Sequence, residues 1–316
     1  MKRRTFVFVL ASPGLWPLRC VAQARVPKVG VLFIDNPEPG ASILRKELQE
    51  AGYFEKKNIE LEIRSAGGKA DVLAQHAVEL VRANVDVIVA INTGAVQAAM
   101  QATTAIPIVM SAGAPLETGL VKSLNRPGGN VTGVSSTAAE LGAKTLEVMR
   151  EIVPSLRRFG VLVNADDVTF GKALLGQVQS AARSLKIEVQ GMIVRPDELD
   201  SAFLSLKKAA TQALMAQPSL PRARVVELAL QHRMPLVVPS GVFVSAGALM
   251  SYSAPQAETA RKAAAYVVRI LKGANPATMP VEQVARYELA INLKTARALG
   301  LTIPPSILAR AERVIE

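Results

Sequence analysis

The chain has 316 residues, half of them apolar, with 37 basic against 26 acidic side chains and a formal charge of +11. That length suits two domains of ordinary size, each able to bury its own core. A single cysteine, Cys20, excludes a disulfide framework, two histidines leave little for metal or acid–base chemistry, and an aromatic content of 4% excludes the stacking platforms that nucleic-acid grooves need.

The chain begins with a basic cluster, Lys2, Arg3 and Arg4, followed by the apolar run Phe6 to Ala11 and the small-residue site Ala22-Gln23-Ala24. This order predicts a signal peptide over residues 1–24, cleaved near Ala24, and a periplasmic location. Pro13, Gly14, Pro17 and Arg19 interrupt the apolar stretch well short of the roughly 20 residues that a spanning helix needs, so no transmembrane segment is expected in the mature chain. Arg3-Arg4-Thr5-Phe6 resembles a twin-arginine signal but also fits an ordinary secretory one. Arg19 stands where a lipoprotein signal requires a small residue, and cleavage after Ala24 removes Cys20 together with four basic side chains.

From Lys28 onward, short runs rich in Val and Ile alternate with helical periodicity. The reading is strand Lys28 to Ile34, helix Ala41 to Gly52, strand Asn58 to Ser65, helix Lys69 to Ala83, strand Val85 to Ile91, helix Ala95 to Thr104 and strand Ile106 to Ser111. Continuous apolar strands such as Val85 to Ile91 belong to parallel sheets covered on both faces. Three landmarks then recur at nearly one offset. Lys28-Val29-Gly30-Val31-Leu32 returns as Arg158-Phe159-Gly160-Val161-Leu162, Asn58-Ile59-Glu60-Leu61 as Lys186-Ile187-Glu188-Val189, and Ile106-Pro107-Ile108-Val109 as Met234-Pro235-Leu236-Val237. The expectation is an α/β protein of two doubly wound lobes, the first over 26–135 with a return at 251–275, the second over 136–250 with 276–316. The Gly-rich stretch Arg126 to Gly133 reads as a turn with a hinge role.

Catalytic constellations are missing from the pattern. There is no nucleophile elbow, P-loop, His-Glu-x-x-His or Gly-x-Gly-x-x-Gly, so neither enzyme, cofactor nor metal is expected. His76 lies inside a helix without an acid or cysteine partner at ligand spacing, and His232 lies in the last turn of another, where the helix dipole favours it. Asp166 and Asp167 are adjacent and should point apart.

Binding chemistry is better served. In parallel α/β sheets ligands settle beyond the carboxyl ends of the strands, at helix N-termini. The candidates there are Asp35 and Asn36; Asn92, Thr93 and Gly94; Ser111 and Ala112; Asn164 and Asp166; Gln217 and Ser219; and Ser240. Thr93 and Ser219 are expected at helix N-termini in opposite lobes.

Several stretches resemble the ABC transporter substrate-binding family typified by tryptophan-type receptors. They are Ala51-Gly52-Tyr53 with Lys57-Asn58-Ile59, the run Gly119 to Gly133, Ala246-Gly247-Ala248-Leu249 with Ser251-Tyr252, and Leu289 to Ala296 with Leu299 to Pro304. The resemblance implies a type I periplasmic-binding-protein fold, a small-molecule ligand held between two lobes, hinge closure, and delivery to ABC permease and ATPase subunits. The other class that shares this closure is an extracytoplasmic sensing module for a membrane signalling partner. A repressor of this fold would need a helix-turn-helix where the signal peptide stands. Two departures bear on the ligand. Ala114-Pro115 replaces an Asp-Pro pair, and Gln217-Pro218-Ser219 replaces an acid with a hydroxyl, which removes the acids that would anchor an α-amino group.

Overall fold

The computed structural model describes residues 25–138 and 141–316, so the signal-peptide reading at 1–24 lies outside the described residues. The first unit runs β1 (Lys28–Phe33), α1 (Gly40–Glu50), β2 (Glu60–Ser65), α2 (Ala70–Arg82), β3 (Val87–Ile91), α3 (Thr93–Ala102), β4 (Ile108–Ala112) and β5 (Val131–Ser135). Val87 to Ala90 are fully buried because helices cover both faces of the strand. Leu73, Ala77 and Leu80 form the buried stripe of α2, and Leu80 lies so close to β1 that a Cβ on Gly30 would meet its methyls at 3.1 Å.

The second unit repeats the order. It runs α4 (Gly142–Ile152), β6 (Arg158–Asn164), a 3-10 turn (Ala165–Asp167), α5 (Val168–Leu185), β7 (Glu188–Val194), α6 (Leu199–Lys208), β8 (Ala213–Ala216), α7 (Arg222–Gln231), β9 (Leu236–Val237), α8 (Gly241–Ala246) and β10 (Met250–Ser253). The chain then passes through α9 (Gln256–Leu271), β11 (Glu282–Gln283), β12 (Glu288–Asn292), α10 (Leu293–Leu299), α11 (Pro305–Leu308) and β13 (Arg313–Ile315).

Two sheets result, ordered β11-β5-β4-β3-β1-β2 and β13-β12-β10-β9-β8-β6-β7. Stripped of the added edges, both read 2-1-3-4-5, so the sequence repeat corresponds to a repeat of topology. All named pairings are parallel except β10 with β12. Each sheet has a hydrophobic core on either face.

The chain passes between the sheets three times, after β5, after β10 and after β11. Helix α9 returns to the first sheet, where Ala263, Tyr266 and Val267 share a core with Val29, Leu44, Val89 and Val109. Strand β11 then extends that sheet, Glu282 pairing with Val134 and Gln283 with Ser135. The observed division therefore differs from the one drawn at 251 and 275. Ser251 and Tyr252 belong to the second sheet, paired antiparallel with Ala290 and Leu289, and the return to the first sheet extends to Gln283. A two-residue edge strand carries too little pattern to be read from sequence.

The Gly-rich stretch is also placed differently. Arg126 to Gly133 stays within the first lobe, Gly133 lying inside β5 with φ 133°, where a Cβ would stand 2.3 Å from the Met110 carbonyl oxygen. It is a close-approach segment and not the hinge. The first crossing follows it, and there the Thr137 hydroxyl shares a 2.6 Å hydrogen bond with the Tyr287 hydroxyl of the third crossing.

Candidate functional site

The carboxyl ends of β3 and β4 face those of β6, β8 and β9 across a cleft that encloses a cavity of about 130 Å³. Asn92, Thr93, Ser111, Ser219 and Ser240 all line it. Asn92 enters α3 at φ 74°, a left-handed conformation that asparagine tolerates better than most residues. That entry starts α3 two residues earlier than its periodicity suggests and buries Thr93 in the first turn, where backbone N–H groups lack helical partners.

The remaining candidates fall elsewhere. Asp35 and Asn36 lie at the rim, in an adjoining pocket of about 90 Å³ shared with Asn92, Ser240 and Arg222. There the Arg222 backbone N–H donates to Asp35 Oδ2 at 3.4 Å, and a Cβ on Gly68 would sit 3.2 Å from Pro221, so the two lobes touch at the mouth. Gly94 faces away from the cavity, because a Cβ there would approach Ile34 and Leu73 at 3.6 and 3.8 Å. Ala112 is buried within the first lobe's core. Ser219 sits in the turn before α7 instead of at its N-terminus, which Pro221 caps.

Asn164 and Gln217 do not line the cavity. They are fully buried beneath it and build its floor. The Asn164 side-chain amide donates to the Ser219 carbonyl at 3.1 Å and to its hydroxyl at 3.3 Å, while its oxygen accepts from the Asp166 N–H. Gln217 Oε1 accepts the Asn164 N–H at 2.9 Å, and Gln217 Nε2 donates to the Asp167 carbonyl at 3.0 Å and to Asp167 Oδ2 at 2.8 Å. Gly171 makes room for this amide, since a Cβ there would stand 2.5 Å from Gln217 Oε1.

Asp166 points to solvent, and its neighbour Asp167 lines the cavity at 3% exposure. A 3-10 turn rotates about 120° per residue, which separates the two carboxyls. Burial pushes the Asp167 carboxyl up to about 7, against the pull of the Gln217 hydrogen bond and smaller contributions from the Phe170 N–H and the Ser219 hydroxyl. Its Oδ1 completes no hydrogen bond. Neither does the hydroxyl of Ser253, which lines the same cavity and is likewise 3% exposed. Buried polar atoms are rarely left unpaired in folded proteins, because each costs about 1 to 3 kcal/mol. Of the described residues lining the cavity, Asp167 alone is ionisable.

Several lining residues were not among the candidates. Ser253 is the last residue of β10, Gln256 and Thr259 come from the start of α9, and Ser136 from the first crossing. Phe170, on α5, reaches across the cleft, where a Cβ on Gly113 would meet its ring at 2.6 Å. The histidines stand apart from the site. His232 stacks on Phe203 with ring centroids 5.8 Å apart, and His76 is half-buried on α2.

A sequence model of the family described as ABC transporter substrate binding protein matches residues 40–315. The tyrosine-binding protein of Clostridioides difficile (strain R20291) is 30% identical over 261 residues, spanning 81% of this chain and 75% of that protein. Among solved structures, a conserved domain protein from Vibrio cholerae O1 biovar eltor str. N16961 matches with a TM-score of 0.82 and 28% identity, over 92% of this chain and 100% of that one. The ABC domain in complex with L-Trp from Streptococcus pneumonia matches with a TM-score of 0.81 and 26% identity, over 92% of this chain and 99% of that one.

Proposed function

Since the chain belongs to the ABC transporter substrate-binding family and has the two-lobed fold of type I periplasmic binding proteins, we propose that it works outside the cytoplasmic membrane as the solute-capturing subunit of an importer. Residues 1–24 direct export and are removed. The solute lies in the cavity between the sheets, the lobes close over it about the three crossings, and the closed form docks on permease and ATPase subunits. The family is one of substrate-binding proteins and not an enzyme class, and no chemistry on the solute is required. Among the described residues no helix is long and apolar enough to cross a membrane.

The observation that carries this reading is the pair of unpaired buried atoms, Asp167 Oδ1 and Ser253 Oγ, in a cavity whose walls come from both lobes. Leaving both atoms unpaired costs free energy that a bound solute recovers. Only a solute with higher affinity for the closed form shifts the lobes toward it.

The test uses protein stripped of bound compounds by unfolding and refolding. A compound that raises the melting temperature binds the native state, and the same compound should reduce the radius of gyration in small-angle scattering. A verified ligand that leaves the shape unchanged would argue against closure. If no compound raises the melting temperature and none co-purifies with the native protein, the capture reading fails.

A further inference from the structure

From Asp167 and its surroundings we infer that the solute is a compact cation, a protonated amine or amidine whose nitrogen pairs with Asp167 Oδ1 and donates to Ser253 Oγ. The inference rests on the capture reading above and deepens it by naming the ligand's chemistry. Three observations support it.

The first is charge. The carboxyl lines a cavity in which no described side chain is basic, and the groups that donate to it, Gln217 above all, are neutral. A neutral solute leaves either a buried unpaired anion or a proton to be taken up, and an anionic solute faces like charge. A cation supplies the missing charge and the missing donors together, the arrangement in which a buried ion is tolerated.

The second is direction. Gln217 fixes Oδ2 and the Asp167 backbone carbonyl together, which holds the carboxyl of this cavity-lining residue in place and leaves Oδ1, buried and without a partner, as its free oxygen. Ser253, which lines the same cavity, has a second buried oxygen without a partner. An ammonium carries three donors and an amidinium a planar set, enough for both acceptors.

The third is size. A cavity of about 150 Å³ takes a benzene ring, and this one measures about 130 Å³. Even with the rim pocket of about 90 Å³ it falls short of the 300 to 1,000 Å³ typical of drug-sized ligands. In this arrangement of the lobes the space suits a short chain or small ring.

The experiment has two arms. In the first, compounds retained by the native full chain are released by denaturation and identified by mass spectrometry. In the second, ethanolamine, β-alanine, L-alanine and acetamidine are compared by calorimetry with ethylene glycol, propionamide and propionate, and with L-Trp and L-Tyr. The expected result is a retained or titrated compound that is small and carries a protonatable nitrogen. Its affinity should fall roughly 30-fold or more in Asp167→Asn, the loss expected when one partner of a buried charge pair is neutralised. If that variant does not fold, Ser253→Ala provides the check. It deletes a hydroxyl with no internal partner and should weaken the same compound several-fold. A retained compound without such a nitrogen, tight binding of L-Trp or L-Tyr, or binding of any compound unchanged in Asp167→Asn would overturn the inference and leave capture standing. Absence of any binding removes the capture reading and this inference with it.

Discussion

The junction after β1 and the junction after β6 occupy the same place in two sheets of the same order, yet they put their acids to opposite uses. After β1 the chain runs outward, and Asp35 meets the Arg222 N–H at the rim. After β6 it turns inward, and Asp167 is buried at the cavity wall. The difference lies on the neighbouring strand. Gly30 is in register with Ile88 and Gly160 with Leu214, so three residues on, Ile91 of the first lobe stands where Gln217 stands in the second. Isoleucine has no amide with which to draw an acid inward. One buried side chain thus separates a rim contact from an interior charged site on otherwise equivalent scaffolds.

The largest test of that contrast is Gln217→Leu, which makes the second lobe resemble the first. It leaves the Asn164 N–H and the Asp167 carbonyl buried without partners, so the chain should lose about 3 kcal/mol or more of stability in urea unfolding, at roughly 1 to 3 kcal/mol per orphaned group. A loss below about 1 kcal/mol would mean that water or a shifted backbone takes over the amide's role.

A smaller effect is expected from pH. In the unfolded chain Asp167 titrates near 3.8 and in the folded chain near 7, so the folded state holds the proton more tightly. The penalty for burying the charge is absent below the unfolded value, grows between the two and is complete above 7. The ligand-free protein should therefore gain stability on going from pH 8 to pH 5, by on the order of 2 to 3 kcal/mol, and Asp167→Asn should remove that part of the slope. Parallel pH profiles of wild type and variant would refute the assignment.

Asp35→Ala should show the smallest effect. Its contact with Arg222 is long, at 3.4 Å, and reaches solvent, so unfolding should change by less than about 1 kcal/mol. Since the contact bridges the lobes, its loss should show mainly as faster ligand release in stopped-flow measurements. A large loss of stability would make the rim contact part of the core architecture.

The alternation of strand and helix was legible because a parallel strand buried on both faces must be apolar throughout, as β3 is, and the lobe repeat was legible because both sheets reuse it. The strand-end rule picked out Asn92, Thr93, Ser111, Ser219 and Ser240, which border the cavity, because it depends only on where strands end. It could not separate Asp166 from Asp167, since the choice turns on one 3-10 turn and on Gln217, some fifty residues away along the chain. Gln217 and Asn164 were found as positions but not as a floor, because hydrogen bonding between strand ends leaves no periodicity. Ser253, Gln256 and Thr259 were missed for a topological reason, since the boundary drawn at 251 cut through β10 and hid both its carboxyl end and the start of α9. On the reading proposed above, the acid missing at Ala114 and Gln217 is supplied from a third place, Asp167.

The return of α9 to the first lobe also sets an order of events during folding. Val29, Val31, Val89 and Val109 form one wall of a core whose other wall includes Ala263, Tyr266 and Val267. A nascent chain that has emerged only as far as β10 holds the first sheet with that wall covered by α1 alone. The second sheet in turn waits for β12 and β13, supplied by the last thirty residues. The first lobe completes its sheet only with β11 and the second only with β13, each after the chain has left it and returned, so the two should fold late and together, with the high contact order and slow kinetics that follow from closing long loops.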